Sequence, residues 1–107
     1  MDNLLILKAE NTTLQDFQSK VQDELTSGEG KGKNVILDLL ELIDVDLNSL
    51  LSFQSICDAH VESGCSFVIV NDSINFNDLP PSLHVTPTLE EAKDIIVMED
   101  IERDLGF

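Results

Sequence analysis

Asn34-Val35-Ile36-Leu37-Asp38-Leu39-Leu40-Glu41-Leu42-Ile43-Asp44-Val45-Asp46-Leu47-Asn48-Ser49 is the stretch that decides the fold of this 107-residue chain. Its first part, 35–40, is almost continuously apolar. That is the pattern of a strand in a parallel sheet covered on both faces. An acidic turn over 41–46 follows, and then the start of an amphipathic helix. A doubly covered strand that feeds a helix predicts an α/β domain.

Working outward, the same grammar repeats. Residues 4–7 (Leu-Leu-Ile-Leu) read as a strand. Thr12 or Thr13 caps a helix that runs to about Leu25, with Leu14, Phe17, Val21 and Leu25 at helical spacing and Gln15 completing a capping box with Thr12. The Gly- and Lys-rich stretch 27–33 follows a helix and precedes a strand. It is therefore a connector and not a phosphate-binding loop, which follows a strand and opens a helix. On the other side, Leu47, Leu50, Leu51, Cys57 and Val61 follow the helical period imperfectly and predict one helix over 46–63, stopped by Gly64. Residues 65–70 read as a strand ending at the Asn71-Asp72 turn. The stretch 73–83 is irregular because Pro80-Pro81 blocks a ladder, and Phe76 and Leu79 are expected to tuck beneath it. A brief strand at 84–86 then feeds a helix capped by Thr88, with Glu91 three residues on. The length fits one domain, 1–107. The fold class is thus α/β, with a mostly parallel four-stranded sheet packed against three main helices and a helical C-terminal segment, 98–107.

Charge narrows the partners. Six Lys plus Arg stand against 21 Asp plus Glu, a formal net of -15. Nucleic acid and anionic membrane surfaces would repel such a chain, because binding them requires cations to displace counterions. A basic protein partner is allowed, and so is the plainer reading that the carboxylates form a solvated surface that keeps a small protein soluble. Cys57 and Cys65 sit in apolar surroundings and read as buried thiols in a reducing compartment. With no basic start after Met1 and no apolar run of membrane-spanning length, the expected location is the cytoplasm.

Three stretches together resemble the STAS domain, the fold of anti-sigma factor antagonists and of the cytoplasmic end of some anion transporters. They are Asn34-Val-Ile-Leu-Asp-Leu, the helix then strand from Cys57 to Val70 ending Ser-Gly-Cys-Ser-Phe-Val-Ile-Val-Asn, and Thr86-Pro-Thr-Leu-Glu-Glu-Ala92. The likeness spans nearly the whole chain, although the family places two strands before its first helix and this chain has room for one. The resemblance implies a protein-binding regulatory module whose partner meets the tip of the helix after the central strand. In that family the tip reads Asp-Ser-Ser/Thr-Gly and a partner kinase phosphorylates a serine there. Here the tip reads Ile43-Asp-Val-Asp-Leu-Asn-Ser49. Only Ser49 can accept phosphate, and Asp44 and Asp46 already supply negative charge, so phosphorylation is not expected to switch the module. The wider likeness is to short, free-standing bacterial STAS-like proteins with a tail like 98–107, some of which carry the label ribonuclease Z. This chain has two histidines and no His-x-His-x-Asp-His motif, so it cannot hold that enzyme's zinc pair. A role as accessory subunit of a neighbouring enzyme, or as a small ligand-binding α/β domain with a polar pocket near Asp38, Asn71 and Asp72, remains the alternative.

No catalytic set, cofactor or metal site emerges. Asp44, Asp46 and Asn48 match the first positions of a calcium loop, but Ser49 stands where Gly is needed and Ser55 where Glu is needed. His60 and His84 have no nucleophile motif beside them. The final helix carries two apolar stripes. Leu89, Ala92 and Ile96 lie on one side; Val97, Met98, Ile101 and Leu105 lie nearly opposite at 100° per residue. One straight helix cannot bury both against one sheet. Either the helix bends or folds back and buries the second stripe, or Ile101, Leu105 and Phe107 meet another chain, which includes self-association. The expected protein-binding residues are therefore Asp44, Asp46 and Ser49 at the helix tip and Ile101, Leu105 and Phe107 at the C-terminal end.

Overall fold

A computed structural model describes residues 3–28, 30–42, 45–74 and 76–106, and for Phe76 the backbone only. The expected positions Asp44 and Phe107, and the side chain of Phe76, lie outside the described residues. The elements run β1 (Leu4–Lys8), α1 (Leu14–Thr26), β2 (Asn34–Asp38), α2 (Leu47–Leu51), α3 (Gln54–Glu62), β3 (Phe67–Val70), a 3-10 turn (Phe76–Asp78), β4 (His84–Thr86) and α4 (Leu89–Asp104). The four strands form one parallel sheet in the order β1-β2-β3-β4.

That order determines where everything else sits. Each strand adds on the same side of its predecessor, and right-handed crossovers then place every connection on one face. The core on that face contains Phe17 and Val21 from α1, Leu50 from α2, Phe53 and Cys57 from the next helix, and Val35, Leu37, Phe67 and Ile69 from the sheet. Leu79 packs against its margin and Leu83 within it. Among the described residues the opposite face receives α4 alone. Ala92 and Ile96 pack there on Ile36, Val68 and Val70 and are fully buried. A helix about 10 Å wide covers roughly two strands spaced about 4.8 Å apart. It lies over β3, β2 and β4, and β1 is left with Ile6 exposed on its uncovered side. Lys8, paired with Glu10 and Glu41 at 3.3 and 3.4 Å, places charge on that edge strand, where charged side chains discourage further strand pairing.

Two local expectations are corrected. The first cap is Thr13, whose hydroxyl accepts from the Asp16 N–H, and not Thr12 with Gln15. The helix expected over 46–63 is two helices. Ser52 Oγ donates to the Ser49 carbonyl, the acceptor an α-helix would offer to the Phe53 N–H. Phe53 N–H donates instead to Leu50 at 3.1 Å, tightening the turn in the way a back-bonding serine does. Gly64, at φ +95°, takes the left-handed conformation that ends α3.

The C-terminal half of α4 is held differently from its N-terminal half. Beyond Ile96 the inner face carries polar residues. Asn34 Nδ2 donates to both carboxylate oxygens of Asp100, at 3.1 and 3.2 Å. Asn34 Oδ1 accepts from the Ser66 N–H at 2.8 Å and from Arg103 Nη2 at 3.3 Å. Arg103 Nη2 also donates to Ser66 Oγ at 3.0 Å and to Asp100 Oδ1. This clamp ties the helix to the N-terminal ends of β2 and β3. Replacing Asn34 by Ala leaves the buried Ser66 N–H without its acceptor, and the expected loss is about 1–3 kcal/mol in urea unfolding. The hydrogen bond from Arg103 foremost, and then that from Asn34, lower the Asp100 pKa below its ordinary value. A depressed folded-state pKa means that this contribution is full above the ordinary carboxylate range and fades as pH falls through the lowered value. The Asn34→Ala chain should therefore lose less stability on acidification than the parent. An equal acid response in the two chains would contradict the clamp.

Candidate protein-binding surface

Because Ala92, Ile96, Asp100 and Arg103 face the sheet, the opposite side of α4 faces solvent. There Met98 is 55 % exposed, Ile101 53 % and Leu105 64 %, with Val97 beside them. The helix is continuous from Leu89 to Asp104, so the bend or fold-back that would have buried the second stripe does not occur among the described residues. Val97, Ile101 and Leu105 repeat every four residues and form a ridge along the helix. Glu102 and Asp104 lie to either side of it, and Glu90 and Asp94 continue the same line toward the helix N-terminus, so the ridge occupies the C-terminal half of α4. These exposed apolar side chains adjoin one another along the helix rather than being scattered singly.

The second expected surface is the tip of α2. Asp46 caps this helix, its Oδ1 accepting from the Ser49 N–H at 2.8 Å and from Ser49 Oγ at 2.9 Å. These two bonds, the backbone one first, hold the Asp46 carboxyl below its ordinary pKa. The structure thus brings Asp46 and Ser49 together, with the serine hydroxyl already donating. Neither residue adjoins Ile101 or Leu105 in the fold: α2 belongs to the face opposite α4.

Polar groups near the carboxyl ends of the strands are engaged in turns. Asp38 Oδ1 accepts from the Leu40 N–H at 3.1 Å. Asn71 Oδ1 accepts from the Ser73 N–H at 3.0 Å and its hydroxyl at 2.8 Å. A cleft of about 450 Å³ near β1 and the loop after β2 is lined by Thr12, Thr13, Leu42, Val45 and Ser49. Neither Asp38, Asn71 nor Asp72 reaches it.

The histidines have structural surroundings. His60 is buried, its Nε2 lies 2.5 Å from the Lys33 carbonyl, and its ring meets Phe67 edge-on at 6.3 Å between centroids. That carbonyl can only accept, so Nε2 carries a proton. His84 is exposed and stands 3.5 Å from Glu99. Both cysteines are free and buried. Burial, with Asp58 and Glu99 nearby, pushes the Cys57 thiol up to about 11, so it is protonated near neutrality and a poor nucleophile. Among the described residues no group of His, Cys, Asp and Glu is arranged to hold a metal ion, and no helix is long and apolar enough to cross a membrane.

One feature escaped sequence reasoning. A cleft of about 560 Å³ opens between α3 and α4, beside the start of β3. Asp58, Val61 and Glu62 form one wall, Glu99 and Glu102 the other, and Phe67 lies at its base. Its walls come from elements about forty residues apart. The i, i+4 pair on α3 and the i, i+3 pair on α4 are each unremarkable in sequence, and only the fold makes them face one another. Neither any protein-family model nor any curated protein matches the chain.

Proposed function

We propose that this chain is a non-catalytic protein-docking module of bacterial regulation, STAS-like in kind, that binds its partner through the outer face of α4. The observation that carries this reading is the exposed ridge of Val97, Ile101 and Leu105 with Met98, held outward by the inner-face contacts of the same helix. The STAS resemblance supplies the regulatory context. The engagement of Asp38 and Asn71 in turns and the protonated, buried Cys57 thiol favour docking over turnover.

The double substitution Ile101→Ser with Leu105→Ser tests the reading. Both side chains are more than half exposed, so each change should alter stability by only about 0.5 kcal/mol or less. The variant should melt with the parent and fail to recover the partner that the parent retains from its native cell. Unfolding of the variant, or undiminished capture by it, would count against the α4 face.

The module is further read as not switched by phosphorylation. Adding phosphate to Ser49 removes the hydroxyl that donates to Asp46 and sets a charge of about -2 beside that carboxylate. Intact-mass measurement of the protein from its native cell should find Ser49 unmodified; stoichiometric phosphoserine there would overturn this reading.

A further inference from the structure

We infer that the cleft between α3 and α4 receives Lys and Arg side chains of a partner protein's basic amphipathic helix, laid along the ridge of α4. The inference rests on the docking reading above and names the chemistry of the partner.

The two sites are continuous. At 100° per residue, Glu99 and Glu102 lie on the flank of α4 next to Met98 and Leu105. A partner seated on the ridge therefore passes over the cleft. The walls carry Asp58 and Glu62 from α3 and Glu99 and Glu102 from α4, with Val61 as apolar surface between them; Asp58 already accepts from Gln54 Nε2 at 2.8 Å, and His84, also at the cleft, stands 3.5 Å from Glu99. The carboxylates of Glu62 and Glu102 make no hydrogen bond or ion pair with any described residue. The one guanidinium at the rim, Arg103, is already held by Asp100, Asn34 and Ser66. A long aliphatic stem ending in a cation matches such a site: the stem covers Val61 and the head lies between carboxylates.

Other occupants fit less well. A second copy would set carboxylates against carboxylates, because the chain carries 21 acidic and six basic residues. An extended segment docks by pairing with the backbone of a strand edge, whereas the ridge presents only side chains at four-residue spacing. That spacing is what another helix packs against.

The test uses the full chain and two synthetic helical peptides, both with one leucine face, one with lysine and arginine on its polar face and the other with glutamate. Binding is followed by calorimetry. The basic peptide should bind saturably and the acidic one should not. Glu62→Gln with Glu102→Gln should weaken the basic peptide by about fivefold or more and flatten its salt dependence, because two unpaired carboxylates are removed from the contact. Asp16→Asn with Asp72→Asn, the same change in net charge away from the cleft, should have little effect. Equal weakening by both pairs would mean non-specific attraction and would overturn the proposal, as would self-association of the chain through α4. If Ile101→Ser with Leu105→Ser abolishes binding while Glu62→Gln with Glu102→Gln does not, docking on α4 stands and the cleft assignment fails. If neither pair matters, both fail.

Discussion

The hydrogen-bonded clamp of Asn34, Ser66, Asp100 and Arg103 fixes the rotation of α4 where apolar packing has run out. Ala92 and Ile96 anchor the first half of the helix against Ile36, Val68 and Val70. Past Ile96 no apolar side chain of the described residues is buried, and a helix end without tertiary contact frays readily. Here Asn34 is spent on three partners at once: the Ser66 amide, the Asp100 carboxylate and the Arg103 guanidinium. The bond to the Ser66 amide is buried, and so counts most, while Asp100 and Arg103 remain partly open to water. With that side of the helix committed, Val97, Ile101 and Leu105 have nowhere to point but outward.

The arrangement of the sheet creates the need for such a clamp. Strands added in sequence order put α1, α2, α3 and the 71–83 segment on one face, and their side chains fill one large core. The other face depends on a single helix and a much smaller cluster. One helix cannot cover four strands. The result is an asymmetric molecule: a deep core on one side, and on the other a helix whose outer surface is acidic in its first half and apolar in its second. The same asymmetry opens the cleft, because β4 is short and leaves the start of β3 flanked by α3 and α4 alone.

Much of this was legible in the sequence. The all-apolar run 35–37 and its neighbours 67–70 gave the doubly covered central strands, since only a sheet with material on both faces buries every residue of a strand. Thr88 and Glu91 marked the start of α4; the opposed stripes of that helix left open whether it bends to bury the second one, and the continuous helix Leu89–Asp104 answers that question. What was not legible depended on contacts between distant residues. The break after α2 turns on a single serine hydroxyl competing for a carbonyl. The clamp joins residue 34 to residues 66, 100 and 103, and the cleft joins α3 to α4. Neither leaves a periodicity in the chain. The tip at Asp46 and Ser49 was read as charge against charge; the structure adds that the serine hydroxyl is itself a ligand of the carboxylate.

The docking proposal pairs this surface with a complementary partner: apolar residues for affinity, and cations for orientation and rate of encounter. All of this requires that the ridge be open in the free chain. The most direct measurement is solvent paramagnetic relaxation of side-chain methyl groups in the free protein. The account predicts strong relaxation of the Ile101 and Leu105 methyls beside near-complete protection of Ile96, which is fully buried on the same helix. Protection of Ile101 and Leu105 equal to that of Ile96 would show the stripe to be buried and would contradict the account.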